Sequence, residues 1–230
     1  MKPTLVIYTH TDMKDVWGMF FGQLKKYVTD HKVYVCVNQN DSSIPSEYIQ
    51  IHYDDSKQYT DRWVELLPQI KEDLLLFMHE DMILFDTPRL DLIQTYSTYV
   101  NEEKVDSVKL IYAGEGGLPW DQDKTLVTNS FAKFSIQPTI FKKELLKQLV
   151  ESTPNKNIWE FEASISSYGS DFMVHLGEEK KRGLFHYDSL VWPYIATAIN
   201  KGKWNTSEYS QELDALSKEY NVNLFERGTI

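Results

Sequence analysis

Cysteine is almost missing from this chain of 230 residues. Cys36 stands alone, so no disulfide framework is available and a reducing, cytoplasmic setting is expected. No apolar run reaches transmembrane length, so no membrane-spanning segment is expected. A strand is expected from Thr4 onward, which leaves no room for a signal peptide, so the Asn-x-Ser/Thr triplets at Asn40 and Asn205 are expected to be mute. Basic residues are also scarce. The 24 Lys and Arg against 34 Asp and Glu give a formal charge of -10, which argues against a nucleic-acid partner, because duplex binding draws on a basic surface. A nucleotide ligand stays open, since a bound metal supplies local positive charge. Repeats, low-complexity segments, a Walker loop, a Gly-x-Ser-x-Gly elbow and zinc-type spacings are all lacking.

Apolar residues make up 42% of the chain, enough for a full core and one domain. The organising stretch runs from Asp73 to Asp86. Leu74 to Met78 is an unbroken apolar run, too short for a good helix and suited to a strand covered on both faces of a parallel sheet. It stops at His79, Glu80 and Asp81. An imidazole and two carboxylates at the carboxyl end of a buried strand occupy the place where open α/β sheets bind ligands. Such donors suit a divalent metal, and a metal suits a phosphate. Met82 to Phe85 follow at once, as support for a rigid site.

The remaining elements follow in order. Thr4 to Thr9 reads as a first buried strand ending in Thr9-His10-Thr11-Asp12. Two readings of Asp12 stand: a partner for a base or ribose, or a cap for the next helix. Val16, Phe20 and Leu24 recur at helical spacing. Lys32 to Val37 is a second strand that closes at the polar loop beginning with Asn38. Ile49 to Tyr53 is a third, and Tyr59, Trp63, Leu66 and Leu67 mark a helix that Pro68 ends or kinks. Arg62 falls off its apolar stripe, free for a phosphate or simply solvated. Alternating strands and helices favour an α/β fold with a mostly parallel central sheet flanked by helices.

After a helix over Leu90 to Val100 and a strand over Val105 to Ile111, the pattern fails between Ala113 and Asn129. Its Gly-Glu-Gly-Gly is no dinucleotide fingerprint, because Pro119-Trp120 follows and no helix opens. A lid or binding loop is expected, with Trp120 either on a sugar or against the sheet. Ser130 to Ile136 reads as a strand, and Gln137-Pro138-Thr139 turns into a helix carrying Phe141, Leu145 and Leu149. Asn157 and Glu160 have capping-box spacing; Glu162 has no such local task. Asp171 to Leu176 and Gly183 to Asp188 read as a hairpin holding His175 and His186, two histidines with either a packing or a metal role. Leu213, Leu216 and Tyr220 mark a closing helix.

Tyr59-Thr60-Asp61-Arg62-Trp63, the Leu74 to Leu84 strand region, Ser135 to Phe141, Trp159-Glu160-Phe161-Glu162 and Lys201-Gly202-Lys203-Trp204 together resemble the GT-A glycosyltransferases. The likeness is nearest to small transferase domains of large DNA viruses and of bacterial surface-glycan loci. It implies a GT-A type fold, with residues 1–112 as the nucleotide-sugar and metal half and 113–230 as the acceptor half. It further implies a nucleotide-sugar donor, UDP-linked by preference, Mn²⁺ or Mg²⁺ on its diphosphate, and a glycan or glycoprotein acceptor. By that resemblance Asp81 ligates the metal, His79 replaces the first aspartate of the family's Asp-x-Asp motif, and His186 is the late histidine ligand. Thr9, His10, Asp12, Asn38, Arg62 and Glu80 are the expected donor-binding residues. Glu162 is the expected general base with Glu160 as fallback, and transfer is expected to invert the anomeric centre. A sugar-nucleotide nucleotidyltransferase and a non-catalytic glycan-binding module of the same fold are the alternatives.

Overall fold

The computed structural model describes residues 1–129, 134–165 and 171–230. Strands β1 (Thr4–Tyr8), β2 (Val33–Val37), β3 (Ile49–His52) and β4 (Leu74–His79) alternate with helices α1 (Lys14–Tyr27) and α2 (Tyr59–Leu66). Helix α3 (Leu90–Asn101) follows, then β5 (Ser107–Lys109), β6 (Leu126–Thr128), β7 (Thr139–Lys142), α4 (Lys143–Glu151), α5 (Ile158–Ser164) and β8 (Asp171–Val174). The short strands β9 (Ile199–Asn200) and β10 (Lys203–Trp204) precede α6 (Thr206–Tyr220) and α7 (Leu224–Arg227).

Eight strands form one mixed, mostly parallel sheet in the order β3-β2-β1-β4-β7-β5-β8-β6. Strands β1 to β4 are parallel, while β7 runs against both of its neighbours and β6 against β8. Side chains alternate between two cores, as a strand period of two requires. Leu5, Ile7, Leu76 and Met78 pack with α1, α3 and α6 on one face. Val6, Tyr8, Leu75 and Phe77 pack with α2, α4 and α5 on the other. Both faces are therefore covered, which is why these strands read as unbroken apolar runs. Among the described residues no helix is long and apolar enough to cross a membrane.

The chain leaves β1 toward β2 and β3 on one side, then returns to add β4 on the other. Strand order thus reverses between β1 and β4, and a crevice opens at their carboxyl ends. Beyond β4 the chain lies against a late segment. Phe85 donates to the Pro193 carbonyl (3.1 Å), Ile195 to Ile83 (2.9 Å) and Ala198 to Asp81 (3.0 Å). Met82, Ile83 and Leu84 are buried there, so Asp81 is braced on both sides. The β9–β10 turn has positive φ at Lys201 (50°) and Gly202 (77°), the two-residue hairpin geometry that glycine eases.

The second half departs from the expected elements. The strand expected over Ser130 to Ile136 lies partly outside the described residues, and Phe134 to Ile136 is not strand. The strand is instead Thr139–Lys142, and the helix begins only at Lys143. Leu126–Thr128 forms β6 within the expected lid loop, and the strand expected over Val105 to Ile111 shortens to Ser107–Lys109. The hairpin expected between Asp171 and Asp188 does not form. Asp171–Val174 lies between β5 and β6, where the Ser107 hydroxyl donates to the Asp171 carboxylate (2.7 Å). Gly183 to Asp188 contributes only an isolated bridge, Lys181 to Tyr187. Trp120 tucks against the sheet, edge-on to Tyr99 (5.2 Å) and beside Phe172 (5.3 Å).

Candidate active site

A cavity of about 940 Å³ opens beside the reversal point. Register sets Tyr8 beside His79, and their rings stack 5.3 Å apart. Tyr53 stacks on Tyr8 at 5.1 Å and 7°, and Tyr59 meets Tyr8 edge-on at 5.0 Å. Tyr8, Tyr59 and His79 thus give the cavity an aromatic base. Arg62 enters from α2. Its Nε donates to the Lys57 carbonyl (2.8 Å), one terminal nitrogen to the Tyr8 hydroxyl (3.0 Å) and the other to the Asp55 carbonyl (2.6 Å). The guanidinium also lies 4.9 Å over the Tyr53 ring. Its orientation is set before any ligand arrives.

The expected donor-binding residues divide. Arg62 lines the cavity, whereas Thr9, His10, Asp12, Asn38 and Glu80 do not. The Thr9 hydroxyl accepts from Trp17 Nε1 (2.7 Å), and its carbonyl accepts from the Tyr53 hydroxyl (2.8 Å). Both ends of the Asn38 amide bond Thr11, bracing the ends of β1 and β2. The Asp12 carboxylate does not cap the helix: His10 accepts from the Asp12 backbone N–H at the turn, and α1 has no side-chain cap. His10 also bonds Asp55 (2.9 Å), which pairs with Arg62 (2.9 Å). Glu80 is buried, and desolvation, followed by repulsion from Asp81, pushes its carboxyl well above the usual range.

His79, Asp81 and His186 all line the cavity. Among the described residues, however, no three His, Cys, Asp or Glu side chains converge as a metal cage, so the expected trio is not assembled as one. His79 is neutral, its pKa driven down to about 3 by burial, and its Nε2 stands 3.5 Å from the Tyr59 hydroxyl. Burial pushes the Asp81 carboxyl up to about 6, against the opposing pull of backbone hydrogen bonds and of His186. His186 Nδ1 bonds Glu208, which leaves Nε2 available. His175 is elsewhere, packed on Tyr112 at 4.3 Å.

The two candidate bases also part. Glu160 takes part in the capping box of α5, accepting from the Asn157 backbone (3.0 Å) while its own N–H donates to the Asn157 side chain (3.0 Å). Glu162, one half-turn on, accepts from the Ile136 N–H (2.8 Å). Burial raises its pKa against that bond and the pull of Lys109. Glu162 lines the first cavity and also a second, of about 550 Å³, floored by Lys109 and Ile111. It stands where the two meet.

Several residues in and beside the cavities carry sequence signals of their own. Tyr8 is the last residue of a buried strand. Lys109 is a lone charge in an otherwise apolar stretch, a pattern that calls for a partner, here Glu115 at 2.9 and 3.0 Å. Leu184 and Phe185 are adjacent apolar residues in a polar turn, and both are exposed. Trp159 was read only as part of a segment.

No protein-family profile and no curated protein sequence matches the chain. Among solved structures, TarS from S. aureus aligns over 98% of this chain and 41% of its own, at 14% identity and a TM-score of 0.50. Bifunctional IspDF from Campylobacter jejuni aligns over 84% of this chain and 52% of its own (14% identity, TM-score 0.46). The mannosyltransferase PcManGT from Pyrobaculum calidifontis, solved with GDP-Man and Mn²⁺, aligns over 65% and 47% (13% identity, TM-score 0.44). This chain therefore spans about half of each. The likeness is one of fold: an α/β architecture of GT-A type, as expected from the sequence.

Proposed function

We propose that this chain is a glycosyltransferase that moves a sugar from a nucleotide-diphosphate donor, a UDP-sugar by preference, to a hydroxyl of a glycan or glycoconjugate. The observation that carries this reading is the place of Glu162, a half-buried carboxylate at the junction of two cavities. One cavity takes the donor and the other the acceptor. Glu162 removes the proton from the acceptor hydroxyl as its oxygen bonds to the anomeric carbon. The bond from that carbon to the diphosphate breaks with its electron pair, so the configuration inverts.

Arg62, pre-set by its partners, offers its remaining N–H to a donor phosphate. The aromatic base suits a flat nucleobase. Asp81 and His186 would hold a Mn²⁺ or Mg²⁺ ion that neutralises the departing diphosphate, with Glu208 orienting the imidazole from behind. Two protein donors fit an ion that shares its shell with phosphate oxygens and water, as Mg²⁺ does, and not one caged by protein alone. Metal binding is therefore expected to depend on the nucleotide.

A thermal-shift panel of nucleoside diphosphates and their sugars, with and without Mn²⁺, tests the reading, because a ligand that prefers the folded state raises the melting point. Stabilisation by a nucleoside diphosphate that grows with Mn²⁺ is expected; no response to any member of the panel would sink it. His79 in the place of an aspartate keeps one rival open, a non-catalytic binder of the same fold. That rival releases no nucleotide from any donor above background, whereas a transferase hydrolyses its donor slowly.

A further inference from the structure

Resting on the donor and base assignment above, we infer that the acceptor is a neutral saccharide, seated in the second cavity with a sugar ring against Trp159 and Phe185. These side chains are 70% and 78% exposed, although they are among the largest apolar groups of the chain. Both line the first and second cavities, as Glu162 does. Most of each residue is open to solvent. Exposed apolar groups grouped around a cleft mark a binding surface. A ring presented beside polar atoms suits a ligand with a C–H face and a hydroxyl edge.

Polar atoms of that kind are at hand. Gln137 lines both cavities and accepts from the Tyr194 hydroxyl through its carbonyl oxygen, which leaves the amide hydrogens to donate. The Ser135 hydroxyl, of a residue lining the second cavity, is buried and has no partner among the described residues. A volume of about 550 Å³ falls within the roughly 300–1,000 Å³ of small-molecule sites.

Charge decides between neutral and acidic acceptors. Lys109 is the sole cation among the described residues lining the second cavity, and both oxygens of Glu115 already hold it. Glu162 adds a carboxylate. Among the described residues a phosphate or uronate here would meet no open cation and would lie beside an anion, and a buried charge without a partner is costly. Saccharide hydroxyls carry no such penalty.

Calorimetry of the full chain with neutral di- to tetrasaccharides, and with their uronate- and phosphate-bearing counterparts, tests this directly. At least one neutral saccharide is expected to bind, with acidic counterparts at least tenfold weaker. Trp159→Ala and Phe185→Ala are each expected to weaken the neutral ligand tenfold or more, with the melting point as the control for folding. Binding of acidic saccharides alone, binding of none, or undiminished binding by both variants would overturn it. A UDP titration of the unsubstituted protein, with Mn²⁺, separates the two readings. Failure of UDP with saccharide binding intact removes the donor assignment; the reverse result removes only the acceptor one.

Discussion

The first cavity and the junction at Glu162 that it shares with the second are made differently. In the first, the polar groups are committed to one another. Arg62 is tied to Tyr8, Lys57 and Asp55, Asp55 to His10, and His186 to Glu208, while the tyrosines stack among themselves. At the junction, Trp159 and Phe185, which line both cavities, stand largely in solvent. Groups fixed beforehand lose little freedom on binding and discriminate by geometry. Open aromatic faces accept any ring of suitable shape. On the proposed reading, the fixed polar groups select a constant ligand and the open rings accommodate a variable one.

The largest effect that would break this comparison is at the junction. Glu162→Gln is expected to retain nucleotide binding and to lose about 10²–10⁴-fold in transfer rate, measured as nucleotide release in the presence of acceptor. Because burial raises the Glu162 pKa and a base must be ionised, turnover is expected to climb with pH through that raised value. Near-normal turnover by Glu162→Gln would move the base elsewhere.

On the committed side, Arg62→Ala removes charge-assisted hydrogen bonds worth about 1.5–3 kcal/mol each. That converts to a fall in nucleoside-diphosphate affinity of about ten- to a hundredfold, read by calorimetry. An unchanged affinity would mean that Arg62 serves only the tyrosines.

A smaller effect belongs to the loop that borders the second cavity. Glu179 accepts from the N–H groups of Tyr112 and Ala113 (2.8–3.2 Å), and burial pushes its pKa from 4.5 up to about 7. A carboxyl raised in the folded state binds its proton more tightly there than when unfolded. Its contribution to stability is complete below pH 4.5 and is lost as pH rises toward 7. Glu179→Gln, which is always neutral, is therefore expected to melt higher than the unsubstituted chain at pH 8, with the gap closing toward pH 4.5. A gap that did not change with pH would remove the effect.

The smallest concerns the support of the base. Asn157→Ala removes one arm of the α5 cap and is expected to cost about 1 kcal/mol of stability, read by denaturant unfolding. If transfer falls well beyond what that loss explains, the cap also positions Glu162.

How far the sequence could be read follows from where each strand lies. Leu74 to Met78 and Val33 to Val37 are buried on both faces, and their apolar runs announce them. Thr139–Lys142 merges into the helix that follows, and Leu126–Thr128 sits among turn residues, so neither stood out. Asp171 opens a central strand because Ser107 satisfies it, a partner 64 residues away that no local pattern reveals. The site shows the same limit. His79, Asp81, Arg62, Glu162 and His186 all reach the cavity, but Thr9 and Asn38 brace strand ends. A position at the carboxyl end of a strand tells which rim a residue occupies and leaves open which way it turns.

The segment that leads into α5 is stitched to α2 by three hydrogen bonds. The Thr60 N–H donates to the Lys156 carbonyl (3.1 Å), Lys156 N–H returns to the Thr60 hydroxyl (3.0 Å), and Asn155 N–H reaches Asp61 (3.0 Å). Since α2 carries Arg62 and α5 carries Glu162, these bonds hold the spacing between the Glu162 carboxylate and the Arg62 guanidinium. Trp159 and Phe185 take no part in those bonds, so on the proposed reading they can be exchanged to suit other sugars while that spacing stays in place.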